Sequence, residues 1–150
     1  MLYLWVLPNK SYWFYYKHGT IIIGDNMKDI ESIVYQNNNS KLIINIGNKN
    51  QIIYQNVSYI ISNEKLLAYL SGLYTIINDW QKKYIDLKAF GNNYWSLSIN
   101  YVNGNKEEYS GKSSYPNNFE ALEELNQDLI CEARNVWYNY WCWKNITIYY

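Results

Sequence analysis

The sequence predicts an α+β fold: an antiparallel N-terminal β-meander, a long helix, a β-hairpin, a second long helix and a further C-terminal strand. Three observations carry this. The first sixty residues are short apolar segments separated by turn-forming residues. From Leu66 onward apolar residues recur at steps of three and four. The same spacing returns after Phe119. A chain of 150 residues is the usual length of one domain, so residues 1–150 are read as a single unit.

In the meander, Leu2 to Leu7 stops at Pro8, and Ser11 to Lys17 and Thr20 to Gly24 are joined across His18-Gly19. Ile30 to Gln36 stops at Asn37-Asn38-Asn39, and Lys41 to Ile46 and Gln51 to Ile61 flank Gly47-Asn48-Lys49-Asn50. Tyr12-Trp13-Phe14-Tyr15-Tyr16 is aromatic on both alternating faces. Either that strand is covered twice, or Trp13 and Tyr15 form a binding face.

Ser62 or Asn63 can cap the first helix, whose stripe is Leu66, Leu70, Leu73, Ile77, Trp80 and Tyr84. Lys82, Lys83 and Lys88 then suit the negative pole of its dipole. Tyr94 to Tyr101 alternates Trp95, Leu97, Ile99 and Tyr101 with Ser96, Ser98 and Asn100, as in a half-buried strand. A three-residue loop through Asn105 sets Tyr109 opposite Ile99 and keeps the inner face apolar, whereas a two-residue loop sets Glu108 there. An odd-length loop is therefore expected.

Pro116 breaks the next strand, and Asn117 or Asn118 can cap the second helix. Its apolar side is Phe119, Leu122, Leu125, Leu129 and Ala133, with Glu120, Glu123, Glu124, Asp128 and Glu132 mostly outward, and it can run on through Trp137. The tail 136–143, with Trp137, Tyr138, Trp141 and Trp143, is the densest aromatic stretch, and 146–149 supply the final strand.

The text Trp80-Gln81-Lys82-Lys83-Tyr84, Tyr94-Trp95-Ser96-Leu97-Ser98-Ile99, Gly104, Tyr109-Ser110-Gly111 and Tyr115-Pro116-Asn117-Asn118-Phe119 resembles a pattern in small uncharacterised proteins of Gram-positive anaerobes. It covers about a third of the chain. The resemblance implies a shared hairpin-to-helix unit and brings no assigned activity.

Composition bears on partners. There are 18 Tyr against 3 Phe, and 7 Trp. An A/T-rich genome would raise Phe with Tyr and would not raise Trp, so coding bias explains neither excess. A buried tyrosine hydroxyl without a partner costs about 1–3 kcal/mol, so many of these rings are expected at the surface. The competing reading is that they fill a crowded core. Charged residues are only 17% of the chain. Such a surface, rich in amides, hydroxyls and aromatic edges, suits protein recognition.

Basic and acidic side chains cancel at thirteen each and Arg134 is the single arginine, which argues against duplex nucleic acid. No apolar run approaches the length of a membrane span, and the short apolar start before Pro8 lacks the basic leader of a signal peptide, so a cytoplasmic protein is expected. Asn145-Ile146-Thr147 then carries no meaning as a glycosylation site.

His18 is the only histidine, placed at a hairpin tip, so neither a nucleophile–His triad nor a His-rich metal site has material to build on. Cys131 and Cys142 match no metal spacing and read as buried or idle thiols. Asp25, Asp29 and Glu31 lack the ligand pattern of a calcium loop, and no phosphate-binding glycine motif is present.

No cofactor, metal or catalytic residue is therefore expected. The leading expectation is a non-enzymatic inhibitor or adaptor that occupies a protein surface, such as an immunity protein or a phage-encoded anti-defence (anti-CRISPR-like) protein. Its candidate binding residues are Trp13, Tyr15, Trp137, Tyr138, Trp141 and Trp143. The alternatives are an aromatic platform stacking single-stranded RNA or carbohydrate, and a cryptic metal-dependent hydrolase built from scattered acids.

Overall fold

The computed structural model describes residues 5–6, 13–17, 20–23 and 28–134, and the last stretch carries every side-chain contact below. Its strands are β1 (Trp5–Val6), β2 (Trp13–Lys17), β3 (Thr20–Ile23), β4 (Lys28–Asn37), β5 (Lys41–Asn45), β6 (Asn50–Tyr54), β7 (Val57–Ile61), β8 (Lys83–Ile85), β9 (Tyr94–Tyr101) and β10 (Lys106–Lys112). Helices α1 (Asn63–Ile77) and α2 (Phe119–Ala133) complete the described elements.

The expected succession of meander, helix, hairpin and helix is corrected. One mixed sheet of seven strands, in the order β8-β10-β9-β4-β5-β6-β7, dominates, with only two helices among the described residues. The physical reason is pairing distant in sequence. Strand β9 hydrogen-bonds β4 from Ile30–Tyr101 to Asn37–Trp95, so the hairpin is built into the meander's sheet. Strand β8 lies parallel to β10, which makes the sheet mixed. Strands β1 to β3 attach at the start of β4 through Ile22–Asp29 and Ile23–Lys28. The expected C-terminal strand at 146–149 lies outside the described residues.

Three local expectations are also corrected. Gln51 to Ile61 is two strands, because Gln55 and Asn56 both adopt left-handed backbone (φ 51° and 63°) and reverse the chain in two residues. Helix α1 stops at Ile77 and does not reach Tyr84. Trp80 N–H instead donates to the Ile77 carbonyl in a turn, and no lysine lies in the helix's last turn. The β9–β10 loop is of odd length as expected, but displaced by one residue on each strand, so Tyr109 faces Leu97 and Glu107 faces Ile99.

Alternation along the strands sorts the sheet into two faces. Ile33, Leu42, Ile44, Ile52, Leu97 and Ile99 are buried on the inner face, against Leu66, Leu70 and Leu73 of α1 and Leu122, Leu129 and Ile130 of α2. Ser62 caps α1, its Oγ accepting from Lys65 N–H. Gly72 allows close helix packing, since a Cβ there would stand 3.0 Å from Leu125 Cδ1. The opposite face presents Ser96, Ser98 and Asn100, all half-buried, and Asn100 donates to Ser32 Oγ. No described helix is long and apolar enough to cross a membrane.

Candidate functional site

The segment from Asp86 to Asn93 joins β8 to β9 and is pinned at its two ends. Asp86 N–H donates to the Lys112 carbonyl, and Asp86 Oδ1 accepts from Lys88 N–H. Asn38 holds the far end with both amide atoms, donating to the Asn92 carbonyl at 2.9 Å and accepting from Tyr94 N–H at 2.8 Å. Ser113 N–H donates to the Asn93 carbonyl at 2.7 Å. Gly91 supplies a backbone with φ +139°, a conformation that other residues rarely adopt.

This pinned loop presents Leu87 and Phe90 to solvent as fully as an extended chain would, at 93% and 106% relative exposure. Ile85 and Tyr94 flank them, both exposed, and Lys112 lies between the two across the strands. Each large apolar side chain left in water forgoes about 1.5–3 kcal/mol of burial. Scattered exposed apolar residues are ordinary, but several on one fixed loop form the kind of patch that marks a docking site.

Beside the loop is an aromatic cluster centred on buried Trp95. Phe119, at the start of α2, packs on it at 4.9 Å between ring centroids, Trp80 meets it edge-on at 5.5 Å, and Tyr115 stacks on it at 6.5 Å. The Trp95 indole donates to the Ser114 carbonyl and lies directly over Gly111, where a Cβ would come within 2.2 Å of Nε1. Asn118 stands at the N-cap position of α2 but makes no capping bond. It accepts from Trp80 Nε1 and donates to the Ile76 carbonyl, tying the end of α1 to the start of α2. These packings leave a cleft of about 370 Å³ lined by Asp79, Trp80, Tyr84, Tyr115, Pro116, Asn117 and Asn118.

The buried tyrosines are paired inside the protein. Tyr35 donates to Glu123, Tyr69 to Asn126 at 2.7 Å, and Tyr101 and Tyr109 to the two oxygens of Glu107 at 2.6 and 3.2 Å. Tyr74 shares a hydrogen bond with Tyr101. Burial first, and then the Glu123 carboxylate, hold the Tyr35 phenol well above its ordinary value. Burial likewise lifts the Glu123 carboxyl above the usual carboxylate range, against the opposing pull of the Tyr35 hydrogen bond. Glu123 is thus turned inward, which corrects its expected place on the solvated side of the helix.

Lys82 serves no helix dipole, since its Nζ sits 4.0 Å from the centre of the Tyr109 ring and 3.8 Å from Glu107. Arg134 reaches Gln55 Oε1 and packs over the Tyr54 ring, which fastens the end of α2 to the β6–β7 turn. Cys131 takes part in a disulfide, which corrects its reading as an idle thiol; the chain's other cysteine, Cys142, lies outside the described residues. Among the described residues no three His, Cys, Asp or Glu side chains gather as metal ligands.

Of the binding residues expected from sequence, Trp13 and Tyr15 fall on β2, with nothing described of their side chains, and Trp137, Tyr138, Trp141 and Trp143 lie outside the described residues. His18 lies outside them too. Sequence reasoning missed Leu87 and Phe90 altogether. The available signal was two large apolar residues in a Gly- and Asn-containing linker that follows neither helical nor strand spacing. No family model matches the chain, and neither a curated protein nor a solved structure matches it.

Proposed function

We propose that this is a non-enzymatic protein that acts by docking on another protein, as an inhibitor or adaptor of the immunity-protein or anti-defence kind. The observation that carries the reading is the presentation of Leu87 and Phe90 by a loop whose two ends are fixed by hydrogen bonds. Anchors held in place before contact lose little conformational entropy on binding, and a few buried anchors supply most of the affinity of an interface. Tyr94 and Tyr115, both exposed beside the loop, add rigid contact area with a polar edge. The low share of charged residues over the whole chain fits the same role.

The test is a photo-crosslinking residue placed at 87 or 90 in the cell the protein comes from, followed by partner identification and binding measurements. Burying two such anchors at about 2 kcal/mol each predicts that Leu87→Asp with Phe90→Asp weakens the partner at least a hundredfold. Stability should be unchanged, because neither side chain packs on the core. Equal capture of the same partner by this variant would overturn the reading.

A further inference from the structure

The cleft beside the loop has a chemical bias of its own. Its walls are the rings of Trp80, Tyr84 and Tyr115, and its charged group is the exposed carboxylate of Asp79. None of the lining residues is basic. Two of its donors are already committed, because Trp80 Nε1–H goes to Asn118 Oδ1 at 2.6 Å and Asn118 Nδ2–H to the Ile76 carbonyl at 2.8 Å. The Tyr84 hydroxyl accepts from Gln81 N–H at 2.8 Å. What the cleft offers a ligand is the Asp79 carboxylate, one oxygen of which accepts from Asn78 Nδ2 at 3.3 Å, the hydroxyls of Tyr84 and Tyr115, the Asn117 amide, and aromatic faces.

A carboxylate beside aromatic faces attracts cations twice over, by direct charge and by the negative face of the ring quadrupole. A neutral sugar or base could use the hydroxyl and amide donors of the lining, but it would leave the Asp79 charge uncompensated. We infer that the cleft receives a cationic side chain, the guanidinium of an arginine or the ammonium of a lysine, presented by the protein partner. The inference rests on the docking reading for the origin of the cation. Tyr84 and Trp95 face one side of the sheet and Ile85 and Tyr94 the other, so the call for a cation comes from the cleft's own charge, the Asp79 carboxylate, which pairs with no cation among the described residues.

The experiment titrates the full-length, ¹⁵N-labelled chain with N-acetyl-arginine methylamide and follows the Trp80 indole N–H resonance. The neutral isostere N-acetyl-citrulline methylamide, a neutral disaccharide and a single-stranded oligonucleotide are run beside it. The expected result is a saturable shift with the arginine probe at millimolar concentration and none with the other three. Asp79→Asn should weaken it about fivefold and Tyr115→Leu by a similar factor, the range typical of exposed ion pairs and cation–π contacts. Asp79 is exposed, so its substitution leaves the fold readable. A citrulline response equal to that of arginine, saturation by the sugar or the oligonucleotide, or no Trp80 response at all overturns the inference. The assay contains no partner protein, so its failure leaves the result of the Leu87 and Phe90 substitutions standing. Conversely, intact partner binding in that double variant removes the docking reading while a cation-specific shift at Trp80 persists.

Discussion

Gly111 is held to glycine by a neighbour and not by its own backbone. Trp95 lies opposite it in the sheet, and a methyl group at 111 would stand 2.2 Å from the indole nitrogen and 2.4 Å from the Ser114 carbonyl that the indole bonds. Gly111→Ala is expected to cost about 1–3 kcal/mol or more, with loss of the buried tryptophan's emission signature, as read by urea denaturation followed through fluorescence. The Tyr69–Asn126 pair gives a sharper test. Asn126 accepts from Tyr69 while its own Nδ2 is buried without a partner among the described residues. Tyr69→Phe alone should destabilise by about 1–3 kcal/mol, whereas Tyr69→Phe with Asn126→Leu should recover most of that, because both polar groups leave together.

Glu123 makes a prediction about pH. Its folded value is raised by burial above that of the unfolded chain, so the folded state holds the proton more tightly. Stability from this group is therefore greatest below the ordinary carboxylate range and falls as pH rises through the raised value. Glu123→Gln, which keeps an acceptor for Tyr35, should flatten that fall, as measured by urea midpoints from pH 4 to 8. These tyrosines also mark the limit of the sequence reading. Tyrosine in excess of phenylalanine pointed to half-exposed rings; Tyr54, Tyr59 and Tyr84 are half-buried and Tyr94 and Tyr115 exposed, but Tyr35, Tyr69, Tyr74, Tyr101 and Tyr109 are buried. Tyr35 finds its partner 88 residues away and Tyr69 57 residues away, which no local pattern discloses.

At the scale of elements, what was legible was whatever depends on neighbouring residues. The alternation of β9, the Ser62 cap and the apolar stripes of both helices follow from spacing alone. The end of α1 was not legible, and the reason is specific. Trp80 and Tyr84 continue a three- and four-residue rhythm because a turn and then a strand return them to the same packed face, next to Trp95. Strand β8, three residues long, is defined by its pairing to β10 and carries no pattern of its own. The turn at Gln55-Asn56 gives the element-scale prediction. Both residues have positive φ, so Asn56→Gly, which leaves Gln55 with its bond from Arg134, should stabilise the β6–β7 hairpin by about 0.5–1 kcal/mol, visible as a rise in Tm.

Seen as a whole molecule, the chain keeps its aromatic residues at two levels. Trp95, Phe119 and the buried tyrosines hold the sheet and helices together, while Phe90, Tyr94 and Tyr115 remain at the surface around one loop and one cleft. The candidate site was not legible because it is assembled from a linker, two strand ends and a helix start that pairing alone brings together. The measurement that bears most directly on this is hydrogen exchange of the protein with and without its crosslinked partner. The account predicts slowed exchange over 85–94 and 113–118, with little change along β5 to β7. Protection confined to β5 to β7, with the loop exchanging as fast in the complex as in the free protein, would contradict it.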